Sequence, residues 1–196
     1  MINMSSENHH HTTNLTLADE IYDKIDVLSA KCYQCGKCSA GCPVASEMDY
    51  PPSVVMHLLQ TGNPAYEEKV LRSYSIWLCV TCEMCYGRCP MEIDIPKVMD
   101  FLREKSLKEH KTNPKAKKII SFHKAFLDCV NYVGRMYEIG LFVDYKSRTM
   151  DWVQDMNTVP GLLVRGKLNP IPELIKGRKN LNRIFKKTFG KKGGDK

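Results

Sequence analysis

The sequence lacks the long apolar runs of a membrane protein. Its longest uninterrupted apolar run, Ile76 to Val80, covers five of 196 residues, and a transmembrane helix needs about 18. The first residues, MINMSSENHHHTT, are polar and contain no apolar core of a signal peptide. We therefore expect no membrane association. A thiol-rich chain without an export signal is expected in the reducing cytoplasm.

Motifs of nucleotide-binding and hydrolytic enzymes are also missing. There is no Gly-rich nucleotide loop, no Walker sequence and no G-x-S-x-G elbow. There is no C-x4-C run for a plant-type two-iron cluster, and no CCG cysteine pair of the kind that holds a substrate-facing cluster. We therefore expect no catalytic residues and no substrate site in this chain.

Cysteine is abundant, and its spacing repeats. Eight of the nine cysteines form two C-x2-C-x2-C-x3-C-P runs, CYQCGKCSAGCP from Cys32 to Pro43 and CVTCEMCYGRCP from Cys79 to Pro90. This spacing is the bacterial-type iron–sulfur signature. Three thiolates within seven residues need a tight loop around one corner of a cubane. Two runs predict two [4Fe-4S] clusters.

Zinc or disulfides are the alternatives. Zinc sites usually combine C-x2-C pairs across a long gap, and disulfide frameworks suit short secreted chains. Neither accounts for two identical runs that each end in Cys-Pro. In two-cluster ferredoxins the fourth cysteine ligates the other cluster. By this analogy the first cluster is held by Cys32, Cys35, Cys38 and Cys89, and the second by Cys79, Cys82, Cys85 and Cys42.

The segments around the cysteines have a helical pattern. Thr16 and Asp19 form a capping-box pair, and Asn63 followed by Pro64 predicts another helix start. A further helix is expected after Asp94, with the charged run 103–111 as its solvated end. The 36 residues from Pro43 to Leu78 therefore read as helices and not as strands, which predicts an all-α fold.

Beyond Pro114 one long amphipathic helix is expected, with Cys129 on its apolar stripe. We interpret Cys129 as a small buried hydrophobe; a ninth ligand or a redox thiol is the alternative. After Gly140 the pattern weakens, a short helix is suggested around Trp152 and Met156, and 159–172 reads as a Pro/Gly-rich connection.

The basic charge is concentrated at the end of the chain. Residues 161–196 contain eleven Lys/Arg and two Asp/Glu, whereas the whole chain has a net charge of +7. A last amphipathic helix is marked by Leu181, Ile184, Phe185 and Phe189. We predict that it docks onto a partner; a solvated helix is the alternative. The predicted division is a flexible tail over 1–14, a ferredoxin-like domain over 15–112, a helical extension over 113–160 and a basic segment over 161–196. His9–His11 fall in the tail, and we assign them no role.

Two cysteine runs joined by a helical linker resemble the α-helical ferredoxin domain of fumarate reductase and succinate dehydrogenase iron–sulfur subunits. The chain is similar to the family of iron–sulfur C subunits of heterodisulfide reductases. The similarity lies in the segments WLCVTCEMCYGRCP and EIDIPKVMDFLRE, in the length and in the helical second half. The resemblance implies an α-helical ferredoxin domain with two [4Fe-4S] clusters and a helical C-terminal extension.

The resemblance also implies a role in methanogenesis. A protein of this family relays single electrons from an electron-bifurcating flavin subunit to a CCG-type subunit, which reduces the coenzyme M–coenzyme B heterodisulfide. A hydrogenase or formate dehydrogenase module is implied indirectly, through the flavin subunit. The chain would belong to an oxidoreductase without being its catalytic subunit.

Two other functions stay open. The chain could relay electrons in another CCG-partnered oxidoreductase, of the thiol–fumarate reductase or glycolate oxidase type. Its basic tail could instead bind nucleic acid, but no nucleic-acid motif accompanies it, so we expect no such partner.

Overall fold

The structure is a computed structural model that describes residues 15–152, 159–166, 171–172 and 174–189. Every regular element in these ranges is helical, which confirms the predicted all-α fold. The chain divides into two compact units between Asn113 and Pro114. The domain boundaries given above remain a prediction, and the histidines at 9–11 lie outside the described residues.

The described part of the first unit contains seven α-helices, with 3₁₀ turns at Ser29–Lys31 and Ala45–Glu47. The helices are α1 (Leu17–Ile25), α2 (Lys37–Ala40), α3 (Pro52–Gln60), α4 (Pro64–Leu71), α5 (Ser75–Leu78), α6 (Met84–Gly87) and α7 (Ile95–Lys108).

Local signals explain where the longer helices begin. The Thr16 hydroxyl accepts from the Asp19 N–H, and the Asp19 carboxylate accepts from the Thr16 N–H at 3.0 Å, so the predicted capping box is confirmed. The Asn63 side chain caps α4 through the Ala65 N–H at 2.9 Å. The Asp94 side chain caps α7 in the same way. Each cap satisfies N–H groups that a helix start leaves without partners.

Helix α7 is the centre of the first unit and packs against α1, α4, α5 and α6. Its residues Val98, Met99 and Leu102 are fully buried, as are Val55 and Leu59 of α3. Helix α3 packs against α2, and α7 packs against α5 and α6, so this core contacts elements of both cysteine runs or next to them.

The second unit contains, in its described ranges, a 3₁₀ turn at Pro114–Ala116 and four α-helices. They are α8 (Lys117–Val133), α9 (Glu138–Thr149), α10 (Val159–Val164) and α11 (Arg178–Phe189). Helix α8 packs against α9 and α11. Across all described residues of the chain, no helix is long and apolar enough to cross a membrane.

The second unit departs from the sequence expectations in two places. Helix α9 occupies the region after Gly140 where the pattern weakens, and α10 lies inside the expected Pro/Gly-rich connection. Ion pairs join α9 to itself and to α8, since Arg148 contacts Asp144 at 3.0 Å and Asp128 at 2.7 Å. These contacts stabilise a helix that has no continuous apolar stripe. The short helix suggested near Trp152 and Met156 falls mainly on residues outside the described ranges.

Candidate metal centre

The two cysteine runs fold into loops with the same backbone pattern. The residues two and four positions after the first cysteine have positive φ in both loops: Gln34 (61°) and Gly36 (74°) in one, Thr81 (52°) and Glu83 (60°) in the other. Backbone turns of this kind form concave N–H surfaces that bind anions, including iron–sulfur clusters. The repeated spacing therefore has a repeated backbone conformation that suits an anionic cluster.

A one-turn helix follows each loop and carries its third cysteine. Cys38 lies in α2 and Cys85 in α6, and both are buried. The second cysteine of each run, Cys35 or Cys82, is exposed. In each run the second thiol therefore lies at the surface and the third is buried.

One pocket brings cysteines of both runs together. It is lined by Cys42 of the first run and by Cys79, Cys82 and Cys85 of the second. The rest of its lining is apolar: Val44, Met48, Pro52, Val80, Met84, Ile95, Pro96 and Met99. These four cysteines are the ligand set predicted for the second cluster. The ligand assignment itself stays a prediction.

The fourth cysteine of the second run lies near the first run. The pKa of Tyr33 is raised, first by partial desolvation and then by the neighbouring thiols of Cys35, Cys89 and Cys32. The Cys89 Sγ also accepts from the Ile93 N–H at 3.4 Å. Cys89 is thus near Tyr33 of the first run, as Cys32 and Cys35 are.

The donors of the site fit an iron–sulfur cluster. Burial raises the pKa of Cys38, of Cys79 and of Cys85, the last to about 11. Such thiols are neutral until a metal centre displaces their protons. Soft thiolate ligands select iron–sulfur clusters, zinc or Cu(I).

In the part of the chain that the structure describes, no group of three or more Cys, His, Asp or Glu side chains is arranged to hold a metal ion. The preference for a cluster over zinc comes from the cysteine spacing in the sequence. Zinc sites usually combine C-x2-C pairs across a long gap, whereas both runs have the C-x2-C-x2-C-x3-C-P spacing of iron–sulfur proteins.

The start of each run is held by one side chain from a helix that is distant in the sequence. Gln60 of α3 donates to the carbonyls of Ser29 (3.0 Å) and Cys32 (2.6 Å). Arg103 of α7 donates to the carbonyls of Ile76 and Cys79. We call these two arrangements the carbonyl clamps. In both of them the acceptors are the first cysteine of the run and the residue three positions before it.

The sequence reasoning missed Arg103. The charged run 103–111 was expected to be solvated, but only 16% of the Arg103 side chain is exposed. The sequence contained a signal for the position of Arg103. This residue follows Met99, which lines the pocket, by four residues, and helical spacing puts both on one face of α7.

Asp49 positions the segment that leads into the second run. Its carboxylate accepts from the N–H groups of Tyr74 (2.9 Å) and Ser75 (2.8 Å) and from the Ser75 hydroxyl. Burial alone would raise the pKa of Asp49, but these hydrogen bonds hold it below its ordinary value. The carboxylate thereby stabilises the start of α5, which leads directly into Cys79.

Cys129 belongs to the second unit, whereas the other eight cysteines belong to the first. It is buried in α8, and its Sγ accepts from the Tyr137 N–H at 3.2 Å. This contact accounts for a structural thiol. That Cys129 ligates no metal stays a prediction.

Comparison with known proteins identifies the cysteine region. Residues 29–93 match the 4Fe-4S dicluster domain. The chain is 33% identical over 94 residues to the iron–sulfur C subunit of the CoB–CoM heterodisulfide reductase of Methanopyrus kandleri, covering 47% of each chain. It is 35% identical over 89 residues to the iron–sulfur C 2 subunit of the CoB–CoM heterodisulfide reductase of Methanocaldococcus jannaschii, covering 45% of this chain and 44% of the relative.

A third relative is the C subunit of the H2:CoB–CoM heterodisulfide,ferredoxin reductase of Methanothermobacter marburgensis. It is 29% identical over 91 residues, which are 46% of this chain and 48% of the relative. The chain thus matches about half the length of each of these relatives. Its cysteine region carries a 4Fe-4S dicluster domain, and through that region the chain resembles the iron–sulfur C subunits of heterodisulfide reductases.

Proposed function

We propose that this chain is an electron-transfer subunit of a CoB–CoM heterodisulfide reductase complex. In it, two [4Fe-4S] clusters would relay single electrons from a flavin-containing, electron-bifurcating subunit to a CCG-type subunit that reduces the heterodisulfide. The observation that carries the proposal is the pocket in which Cys42 of the first run lies with three cysteines of the second. Two runs that share ligands keep their clusters close, and a relay needs short distances.

The residues of the chain would hold and tune the clusters. Cys79, Cys82, Cys85 and Cys42 would ligate one, and Cys32, Cys35, Cys38 and Cys89 the other. The apolar lining limits water around the second set, and burial is one of the factors that set cluster potentials. The carbonyl clamps fix the start of each run. The proposal gives this chain no catalytic group, so heterodisulfide chemistry would take place in the CCG-type subunit.

The partners follow from the same proposal. The flavin subunit would bind this chain directly, as would the CCG-type subunit. A hydrogenase or formate dehydrogenase module would connect through the flavin subunit. The thiol-rich ligand sets need a reducing compartment, so we place the complex in the cytoplasm.

Anaerobic purification from the native host tests the proposal. The purified complex should contain both a flavin protein and a CCG-type protein, and this chain alone should bind about eight iron atoms. The isolated chain should accept electrons from a strong reductant yet release no thiols from the heterodisulfide. Two zinc ions without iron, or thiol production by the pure chain, would refute the proposal.

A relay in a different CCG-partnered oxidoreductase is the second candidate. It is favoured by one fact: the dicluster match covers residues 29–93 only, and that region does not select among redox partners. A thiol–fumarate reductase or glycolate oxidase type of partner in the purified complex would support this candidate in place of the first.

A further inference from the structure

The two carbonyl clamps have the same geometry but different charge. In the first run the Ser29 and Cys32 carbonyls accept from the neutral amide of Gln60. In the second run the equivalent Ile76 and Cys79 carbonyls accept from the guanidinium of Arg103. The repeat thus places a permanent positive charge beside one cysteine run and a neutral donor beside the other.

The charge of Arg103 is shielded from solvent more than that of its ionic partner. Arg103 contacts Asp100 at 2.9 Å, and the exposed fractions of the two side chains are 16% and 56%. Water screens an exposed charge more strongly than a part-buried one. The pair therefore leaves a net positive field on the side of Cys79.

Other charges near the runs are exposed. Lys31 and Lys37 flank the loop of the first run, and Glu83 and Arg88 lie within the second run. Solvent and salt screen all four. The Arg103 guanidinium, with 16% of its side chain exposed, is better shielded from solvent than these four charges.

We propose that Arg103 is a positioning residue that raises the reduction potential of the cluster on Cys79, Cys82, Cys85 and Cys42. This inference rests on the proposed cluster binding. Reduction adds a negative charge to a cluster, and a nearby cation stabilises the reduced form.

Redox titration of the full chain, monitored by paramagnetic resonance, tests the inference. Arg103→Gln gives the second clamp the chemistry of the first. It should make reduction of the cluster on the Cys79 side about tenfold less favourable, which is 59 mV for one electron. The potential of the cluster on the Cys32 side should stay unchanged. Cys82→Ser and Cys35→Ser assign the signals, because each alters the spectrum of only one cluster.

Asp100→Asn separates electrostatics from loosened structure. It removes a negative charge beside the same clamp, so the potential of the same cluster should rise. A variant that merely loosens the loop would move the potential in the same direction as Arg103→Gln.

Arg103→Lys retains the charge and should stay near the wild-type potential. Arg72→Gln removes an exposed guanidinium that pairs with Glu68 of α4 and is the matched control.

The outcomes distinguish this inference from the proposed function. A wild-type chain without iron would refute the cluster binding itself. A chain with both clusters, in which Arg103→Gln shifts neither potential or shifts both equally, would overturn the role of Arg103. If Arg103→Gln does not retain its clusters, an unchanged or lower potential in Asp100→Asn would overturn it instead.

Discussion

The two units of the chain bury their apolar side chains to different extents. In the first unit, Val55, Leu59, Val98, Met99 and Leu102 are fully buried. In the second, large apolar side chains along α8 and α9 or at their ends are exposed by 40% or more: Phe122, Leu127, Tyr132, Val143 and Met150. The buried apolar side chains described there are small, as at Ala125 and Cys129.

Both units expose large apolar side chains, since Tyr33, Val80 and Met84 of the first unit are exposed by 47% or more. The difference lies in the core, which contains large apolar side chains in the first unit and small ones in the described part of the second. Exposed apolar area is typical of surfaces that contact another protein. Because the cysteine runs lie in the first unit, we expect changes in its core to affect clusters and folding, and changes on the exposed side chains of the second unit to affect assembly.

The largest expected effect follows from removing Cys42, which we propose as a ligand shared across the two runs of the first unit. Cys42→Ser should disrupt the cluster on Cys79, Cys82 and Cys85, because Cys42 lines the same pocket. Iron content should fall from about eight toward about four atoms per chain, and paramagnetic resonance should show which cluster is lost. A change confined to the cluster on Cys32, Cys35 and Cys38 would contradict the crossed ligand sets.

A matched pair of leucine substitutions tests the difference in packing. Leu102→Ala removes a fully buried side chain from α7 and should cost about 3 kcal/mol. Leu127→Ala acts on a side chain that is 40% exposed in α8 and should change stability by less than about 0.5 kcal/mol.

Chemical denaturation can measure both, with visible cluster absorbance reporting the first unit and circular dichroism the whole chain. Similar losses in the two variants would show that the second unit is packed as tightly as the first.

The basic C-terminal helix provides a test of assembly. Leu181 and Phe185 of α11 are partly buried, and α11 packs against α8, but Ile184 is 59% exposed. A chain ending at Gly177 should keep both clusters and bind its partners about tenfold more weakly at low salt, roughly 1.4 kcal/mol. The difference should shrink as salt screens the lost positive charges. Equal affinities of the two chains at low and high salt would mean that the helix is only a solvated end.

The smallest expected effect is at Cys129. Cys129→Ala removes a buried thiol and its contact with the Tyr137 N–H, which should cost roughly 1 kcal/mol. Iron content and cluster spectra should stay at wild-type values, since this residue lies in the second unit. Loss of a cluster from this variant would show that the ninth cysteine is a ligand.

Local chemistry made much of the first unit predictable. The caps at Thr16, Asn63 and Asp94 act within a few residues, so their signals are complete in the sequence. Helix α9 could not be predicted in this way, because Arg148 stabilises it partly through Asp128, 20 residues earlier. A contact between distant residues leaves no periodic pattern.

The sequence by itself determined the chemistry of this protein: eight cysteines at a spacing that only a few metal centres use, with helix signals around them. The tertiary structure decided which cysteines lie together and which charges lie beside them. Gln60 and Arg103 occupy equivalent clamps although they come from helices with unrelated sequences. That equivalence arises because α3 and α7 pack against the two runs in similar positions, and packing between distant segments is not encoded by residue spacing.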